Sequence, residues 1–502
     1  MTDVPGTVPS QQPGLQAQYD PDARYDPDAR YDVVVVGSGP NGLAAAITAA
    51  RAGRSTLVLE ANDEVGGACR SAELTDPGFV HDVGSAIHPL ALASPFMQTI
   101  PWSAHGLKWI MPPAAVAHPL DDGSAGMGWN DLNRTAASLG ADGKTYRSIF
   151  GPLVERFDDL VSFTMQPPVR TVRTPMTFLR VGPQLAAPAT LVARRFETDR
   201  AKALFAGHAA HSVLPLTKPF TAGFGFLLGA ASHAVGWPFP QGGASEITRV
   251  LSEVLVGLGG HIVTGHNVSS LKDLPEAGAV IFATSPRQVA SIGGEEFTPS
   301  QRKRLRRFKF GPGVCKVDFA TSEPIPWTNP EVALAGTVHL GGTIEEVTEA
   351  EATVAKGQHA RRPFVLLAQH TPFDPTRAPD GKHTVWAYCH VPNGSTIDVS
   401  GLIEAQIERF APGFGDTVIT KRVSLPADLE RGNANLVGGD VGGGSYANLR
   451  SVFRPLVSVD PYQTAVDRFF IGSASATPGG GVHGMGGHLA ARRALRFLQD
   501  QH

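Results

Sequence analysis

The run Tyr31-Asp-Val-Val-Val-Val36 reads as a strand that breaks into Gly37-Ser-Gly39-Pro-Asn-Gly42 and continues as an alanine-rich helix. A second strand, Ser55-Thr-Leu-Val-Leu-Glu60, ends on a carboxylate 18 residues after Gly42. Strand, glycine turn, helix, strand and acid in this order constrain the fold more than the glycines alone. Gly37 permits the tight turn, Gly39 lets a pyrophosphate approach the backbone, and Gly42 lets the helix pack on the strand. The helix N-terminus offers free N–H groups and a positive dipole end to phosphate, with Ser38, Pro40 and Asn41 completing the turn. Glu60 is placed to accept hydrogen bonds from an adenosine ribose, and its charge repels the extra phosphate of NADP.

The residues after Glu60 select the dinucleotide. Glu64-Val-Gly66-Gly67-Ala-Cys69-Arg70-Ser71 adds a Gly-Gly pair and an arginine soon after the ribose acid. NAD does not need these; FAD does, because its second phosphate and ribitol run past the end of the strand. Phe79-Val-His81-Asp82-Val-Gly84-Ser85 supplies another tight glycine turn. Near the C-terminus, Arg468-Phe-Phe-Ile471 reads as a strand leading into Gly472-Ser473 and a loop, Thr477-Pro-Gly479-Gly480-Gly481-Val482-His483-Gly484-Met485-Gly486-Gly487. A helix with His488, Leu489, Ala490, Arg492 and Leu495 follows. A glycine loop feeding a helix N-terminus stabilises negative charge on the N1/O2 edge of a reduced flavin, with Gly481, Val482 and Met485 expected along that edge.

These blocks, together with Pro240-Gln-Gly242-Gly243 and Ala283-Thr-Ser-Pro286, resemble the phytoene desaturase-like branch of the FAD-dependent amine oxidase superfamily, over roughly residues 31 to 500. Within it, the nearest resemblance is to the phytoene dehydrogenase-like proteins, among them the pyridine nucleotide-disulphide oxidoreductase domain-containing proteins. The resemblance implies an α/β fold. In it, a glutathione-reductase-type, Rossmann-like FAD-binding domain is interleaved with an α+β substrate-binding domain. It places a backbone contact to adenine at Val268 and a further contact at Ala283. Many relatives carry a ribitol-binding acid directly after the terminal glycine; Ser473 stands there in this chain. The terminal loop also lacks the cysteine through which amine oxidases attach the flavin, which implies noncovalent FAD.

The chain has 502 residues, a net charge of −3 and no nucleic-acid footprint. Its cysteines, Cys69, Cys315 and Cys389, form no CxxC, which excludes redox-disulphide chemistry and fits a reducing, cytoplasmic setting. Residues 1–30 lack a basic n-region and an apolar h-region, so no signal peptide is expected. They hold a tandem repeat, Tyr19–Arg24 and Tyr25–Arg30, that reads as a disordered tail. The FAD-binding domain is expected from residues 31–95, 236–300 and 448–502, and the substrate-binding domain from 96–235 and 301–447. The first insertion reads as helices broken by proline. The second shows period-two strands. In Thr384–Val391, Val385, Ala387, Cys389 and Val391 share one face, and Trp386, Tyr388 and His390 the other.

Gly438–Gly444 is glycine-rich but lacks a framing strand and helix, so it reads as a loop and no second dinucleotide site is expected. Flavin reoxidation then falls to a diffusing acceptor, dioxygen or a quinone. Flavin dehydrogenation needs a destination for a proton. His483, in the flavin loop, is the first candidate and His88, after Gly84-Ser85, the second; for either, the competing role is bracing the local backbone. His208, His211 and His233 lack an acid cluster and read as scattered pocket or surface histidines, not a metal site. Trp386, Tyr388 and His390 could line a pocket, but an aromatic strand face reads first as core. Phe220–Ala231 is too short and glycine-rich to span a bilayer. Gln301–Phe310 is basic and could meet anionic lipid peripherally, but reads first as a solvated helix. The expected function is dehydrogenation, or redox-linked isomerisation, of an apolar substrate such as an isoprenoid or polyene. The rivals are amine oxidation and a non-catalytic prenyl- or lipid-binding escort of the same fold.

Overall fold

The computed structural model describes residues 29–166, 182–448, 453–455, 458 and 460–501; the repeat before Ala29 lies outside the described residues. The valine run forms the strand Arg30–Val36, whose last four residues are buried. A strand flanked on both faces needs apolar side chains at every position, not alternate ones. It is central in a five-stranded parallel sheet, ordered Phe469–Ile471, Glu276–Phe282, Arg30–Val36, Thr56–Leu59, His261–Val263. Register aligns Val36 with Leu59 on one side and Phe282 on the other. The three strands therefore end at one level, and Gly37, Glu60 and Ala283 emerge side by side at the carboxyl edge, where open parallel sheets bind ligands.

The helix Pro40–Arg51 begins directly at the turn. Met485–Gln499 packs across it so closely that a Cβ on Gly487 would strike the carbonyl oxygen of Asn41. Asn41 Oδ1 accepts the Gly487 N–H at 3.4 Å, so the starts of these two helices are fixed to each other. Ser245–Gly257, the amphipathic helix expected from its apolar spacing, is the third helix on this sheet.

A second, seven-stranded sheet has the order Val418–Ser424, Gly313–Thr321, His383–Val391, Val365–Gln369, Ala335–Leu340, Ala114–Pro119, Ala125–Trp129. All its pairings are antiparallel except Ala335–Leu340 with Ala114–Pro119. Two strands thus come from 96–235, where sequence predicts only helices. Ala114–Pro119 is buried throughout, so it carries no alternation to betray it. On one face Val317, Phe319, Val385 and Ala387 pack with Ile403, Ile407 and Phe410 of the helix Ser400–Phe410. The other face looks toward the helices Asp199–Ala210 and Thr221–Ala234.

A buried ion network joins the halves of the molecule. Arg377 Nη1 donates to Asp82 Oδ2 at 2.6 Å and its Nε to Asp374 at 3.2 Å, all three side chains fully buried. Asp82 also accepts from the Ala244 N–H at 2.8 Å, and Asp374 from the Gly242 N–H at 2.8 Å. The Pro240-Gln-Gly-Gly segment is thereby tied to the strand Val80–Asp82 that leads into Gly84-Ser85.

Candidate active site

One continuous cavity of about 980 Å³ starts at the carboxyl edge of the parallel sheet and extends over the inner face of the second sheet. Its first half is built from the glycine turns. Gly37 has φ +99° and takes the reverse of direction that a side chain would resist. A Cβ on Gly39 would meet nothing closer than the Gly66 carbonyl oxygen at 3.9 Å; the turn leaves open space beside its backbone. The helix Pro40–Arg51 has no side-chain cap, so its first N–H groups are left for a ligand. Glu60, 6% exposed, stands at the edge of this space. Its Oε2 accepts the Ser38 N–H and hydroxyl, and its Oε1 accepts the Asn62 N–H and amide. Backbone approach, free helix donors and a fixed carboxylate together suit a dinucleotide.

Of the residues singled out for cofactor contact, Gly37, Ser38, Gly39, Pro40, Asn41, Gly42, Glu60, Gly67, Gly84, Ser85, Val268, Ala283, Ser473, Gly481 and Val482 line the cavity. Gly66, Arg70, Gly472 and Met485 do not, and each has a local reason. Gly66 spends its N–H on Ser38 Oγ. Arg70 turns its Nε to the Gly67 carbonyl at 3.0 Å and lies 3.8 Å from Glu64. Gly472 is packed under Gly487 and Ala490. Met485 donates its N–H to His483 Nδ1 at 3.0 Å, so that amide is not offered to a flavin edge.

The same bond redefines His483. Its ring lies at the cavity wall with Nδ1 engaged by Met485, and hydrogen bonds with the Gly479 and Gly480 backbone hold it from the other side. Burial pushes its pKa down to about 4. The geometry is that of a loop brace, not of a free base. His88 differs: it lines the cavity, is 2% exposed, and neither ring nitrogen has a partner. Burial lowers its pKa to about 4, so it is neutral near pH 7.

The second half of the cavity is apolar. Phe220, Phe224, Leu227 and Leu228 come from the helix Thr221–Ala234 and the residue before it, and face Leu366, Trp386 and Tyr388 of the second sheet. Trp386 and Tyr388, read from sequence as core, therefore belong to the site, their rings edge to face at 5.1 Å. Among the described residues Lys316 is the only Lys or Arg in the cavity wall, and Glu60 the only Asp or Glu. Lys316 is paired with the buried Asp318, whose carboxyl is pushed up by burial. Sequence reading passed over Lys316; the signal was a Lys-x-Asp pair inside a strand whose other residues, Thr321 apart, are apolar or glycine. His208, His211 and His339 pack ring to ring, and His233 bonds to the Tyr146 hydroxyl at 2.8 Å. Among the described residues no group of three potential ligands has metal-holding geometry.

Residues 35–97 match the family described as NAD(P)-binding Rossmann-like domain. The chain is similar to pyridine nucleotide-disulfide oxidoreductase domain-containing protein 2 of Mus musculus, at 26% identity over 93% of this chain and 94% of that protein. It is 23% identical to the lycopene-forming phytoene desaturase of a Paracoccus species, over 91% of this chain and 95% of the desaturase. The structure of a putrescine oxidase variant, made in a redesign of its cofactor binding, shares the fold with a TM-score of 0.58 at 18% identity, covering 94% of this chain and 99% of that one. The glycine turns, the edge carboxylate and these similarities agree: the chain is an oxidoreductase with a Rossmann-like dinucleotide-binding fold, similar over most of its length to a pyridine nucleotide-disulfide oxidoreductase domain-containing protein and to a phytoene desaturase, and it shares its fold with an amine oxidase.

Proposed function

We propose that the cavity binds FAD noncovalently and that the protein dehydrogenates, or isomerises by a redox-linked step, an apolar substrate of the isoprenoid or polyene class. The observation that carries this reading is the continuity of the cavity, which joins a nucleotide-shaped edge to an apolar, aromatic-walled chamber with no barrier between them. In this reading residues 31–95, 236–300 and 448–502 form the cofactor domain, and 96–235 and 301–447 the substrate domain. Glu60 holds the adenosine ribose, and the Gly37–Gly42 backbone holds the pyrophosphate. Gly481 and Val482 border the ring system. Bound FAD supplies a two-electron acceptor for hydride. The apolar wall excludes water from the reacting carbons, and neutral His88, whose ring nitrogens have no partner among the described residues, stands at the cavity wall to take a proton. Dioxygen or a quinone serves as final acceptor.

Amine oxidation fits less well. A substrate ammonium entering the apolar half would meet Lys316 there, while Glu60, the one carboxylate among the described wall residues, stands at the nucleotide end. The test is to purify the protein, record its absorption spectrum, and screen anaerobic bleaching by polyenes, apolar alcohols and amines. A yellow protein bleached by the first two classes supports the proposal. A colourless protein that FAD cannot reconstitute refutes it, and bleaching by amines alone moves it to the oxidase class.

A further inference from the structure

The cavity face of the second sheet carries one row of cross-strand neighbours. Lys316 stands opposite Tyr388, Tyr388 opposite Leu366, and Leu366 opposite His339. Cross-strand neighbours share a face, so the row spans three strand spacings, roughly 14 Å. Lys316 marks the nucleotide end. Its partner Asp318 lies 3.7 Å from His81, on the strand leading into Gly84-Ser85. Tyr388 and Leu366 give an apolar floor, and His339 closes the row.

His339 is fully buried, and its Nε2 lies 3.0 Å from Nε2 of His211. His211 follows the helix Asp199–Ala210 and lines the cavity next to Trp237, ring centroids 5.5 Å apart. Two imidazole nitrogens at that distance share one proton, and the other nitrogen of His339 decides whose it is. His339 Nδ1 is buried without a partner, directly against Gly207, where a Cβ would collide with it. A buried N–H in that position would forfeit its hydrogen bond, a cost that proteins rarely carry. The His339 proton therefore sits on Nε2 and is donated to His211 Nε2. That fixes the His211 proton on Nδ1, the nitrogen no residue engages among those described. Burial keeps both rings neutral, lowering the His211 pKa to about 3. The far end of an apolar chamber thus presents one oriented, neutral N–H donor.

We propose that His211, oriented by His339, recognises an acceptor oxygen at the end of the substrate. The substrate class is then an elongated apolar molecule ending in a hydroxyl or carbonyl group, with that oxygen at His211 and its reacting carbons toward Lys316. This rests on the dehydrogenase reading of the cavity and narrows it, because a pure hydrocarbon would strip water from the His211 N–H and return nothing. His211 is a recognition residue and His339 its positioning residue.

The test is binding, read without turnover. The purified holoprotein is titrated anaerobically with farnesol, farnesal and farnesene, and quenching of tryptophan fluorescence is followed, since Trp237 and Trp386 line the cavity. The two oxygenated probes are expected to bind roughly ten- to a hundredfold more tightly than farnesene. In His211→Leu the preference disappears while farnesene still binds, which separates a lost contact from a lost fold. In His339→Leu it shrinks, and the nitrogen-15 shifts of the His211 ring pass from one tautomer to a mixture. Equal binding of all three probes to the wild type, or an unchanged preference in His211→Leu, overturns the proposal. A colourless protein that keeps the preference refutes the flavin reading alone. A yellow protein without it refutes the recognition site alone.

Discussion

Ser38 gives both its backbone N–H, at 2.9 Å, and its hydroxyl, at 2.7 Å, to the same oxygen of Glu60. The residue between the first two glycines of the turn is thereby locked to the acid at the end of the neighbouring strand. Asn62 holds the other oxygen with two further bonds, so the carboxylate is aimed before any ribose arrives. Charge-assisted bonds of this kind also stiffen the loop that must approach a pyrophosphate.

Replacing Glu60 should therefore weaken the cofactor more than one ribose contact would suggest. Glu60→Ala is expected to cost about 1.5–3 kcal/mol in FAD affinity. Ser38→Ala keeps the N–H bond and should cost about 0.5–1.5 kcal/mol. Titration of apoprotein with FAD measures both; equal, negligible losses would remove Glu60 from the site.

The glycine-rich run Gly438–Gly444 should not serve a nicotinamide dinucleotide. A phosphate cradle offers N–H groups. Here Arg454 gathers the carbonyls of Gly442, Gly443 and Gly444, while the N–H groups of Gly438 and Gly442 are spent on Glu430 and Asp440. NADH and NADPH are expected to reduce the flavin slowly or not at all without oxygen. Rapid, saturable bleaching by either would show a site at this loop.

Arg377 is expected to be a stability hub. Arg377→Met leaves Asp82 and Asp374 buried without their counter-charge, and loss of a buried partner costs about 3–5 kcal/mol. Because Asp82 also holds Ala244 and leads into Gly84-Ser85, cofactor retention should fall with stability. Denaturant unfolding with and without FAD measures it, and a change within the noise of the extrapolation would contradict it.

Stability should fall on mild acidification. His88, His118, His208 and His483 have folded-state pKa values lowered to about 4, and His81 and His370 to about 3, with burial as the main cause. In the unfolded chain these rings titrate near 6.5. Below that pH the unfolded state binds protons the folded state refuses. The contribution is therefore complete above about pH 6.5 and is lost as pH falls toward 4, by on the order of 1.4 kcal/mol per unit for each ring. Melting temperatures between pH 7.5 and 4.5 should drop steeply; a flat profile would mean that water reaches these rings.

The half built on the parallel sheet was legible because its signals are local. Val33–Val36, the three glycines and Glu60 fall within 30 residues, and parallel strands that end together need no distant information. The half built on the seven-stranded sheet was not. Alternation in Thr384–Val391 separates two faces, but nothing in it tells which face the helix Ser400–Phe410 covers, so Trp386 and Tyr388 read as core. His211 and His339 are 128 residues apart and meet only through the fold. Lys316 sits in a strand whose burial is visible only once both of its neighbours are in place.

His483 gives the sharpest mechanistic test. Its position in the flavin loop suggests a base, but its nitrogens are engaged by the backbone of Met485, Gly479 and Gly480. A ring that holds three loop residues orders the turn between Gly479 and the helix Met485–Gln499, and burial keeps it neutral at working pH. In His483→Ala the Met485 N–H loses its acceptor inside the protein, a loss of about 1–3 kcal/mol. The expected phenotype is a lower melting temperature and weaker FAD retention, with FAD-saturated protein reduced at close to the normal rate. Removing a positioned acid or base instead slows the chemical step roughly 10²–10⁴-fold. Stopped-flow reduction of the saturated variant separates the two roles. A rate loss of that size, with binding intact, would restore His483 as the proton acceptor and displace His88.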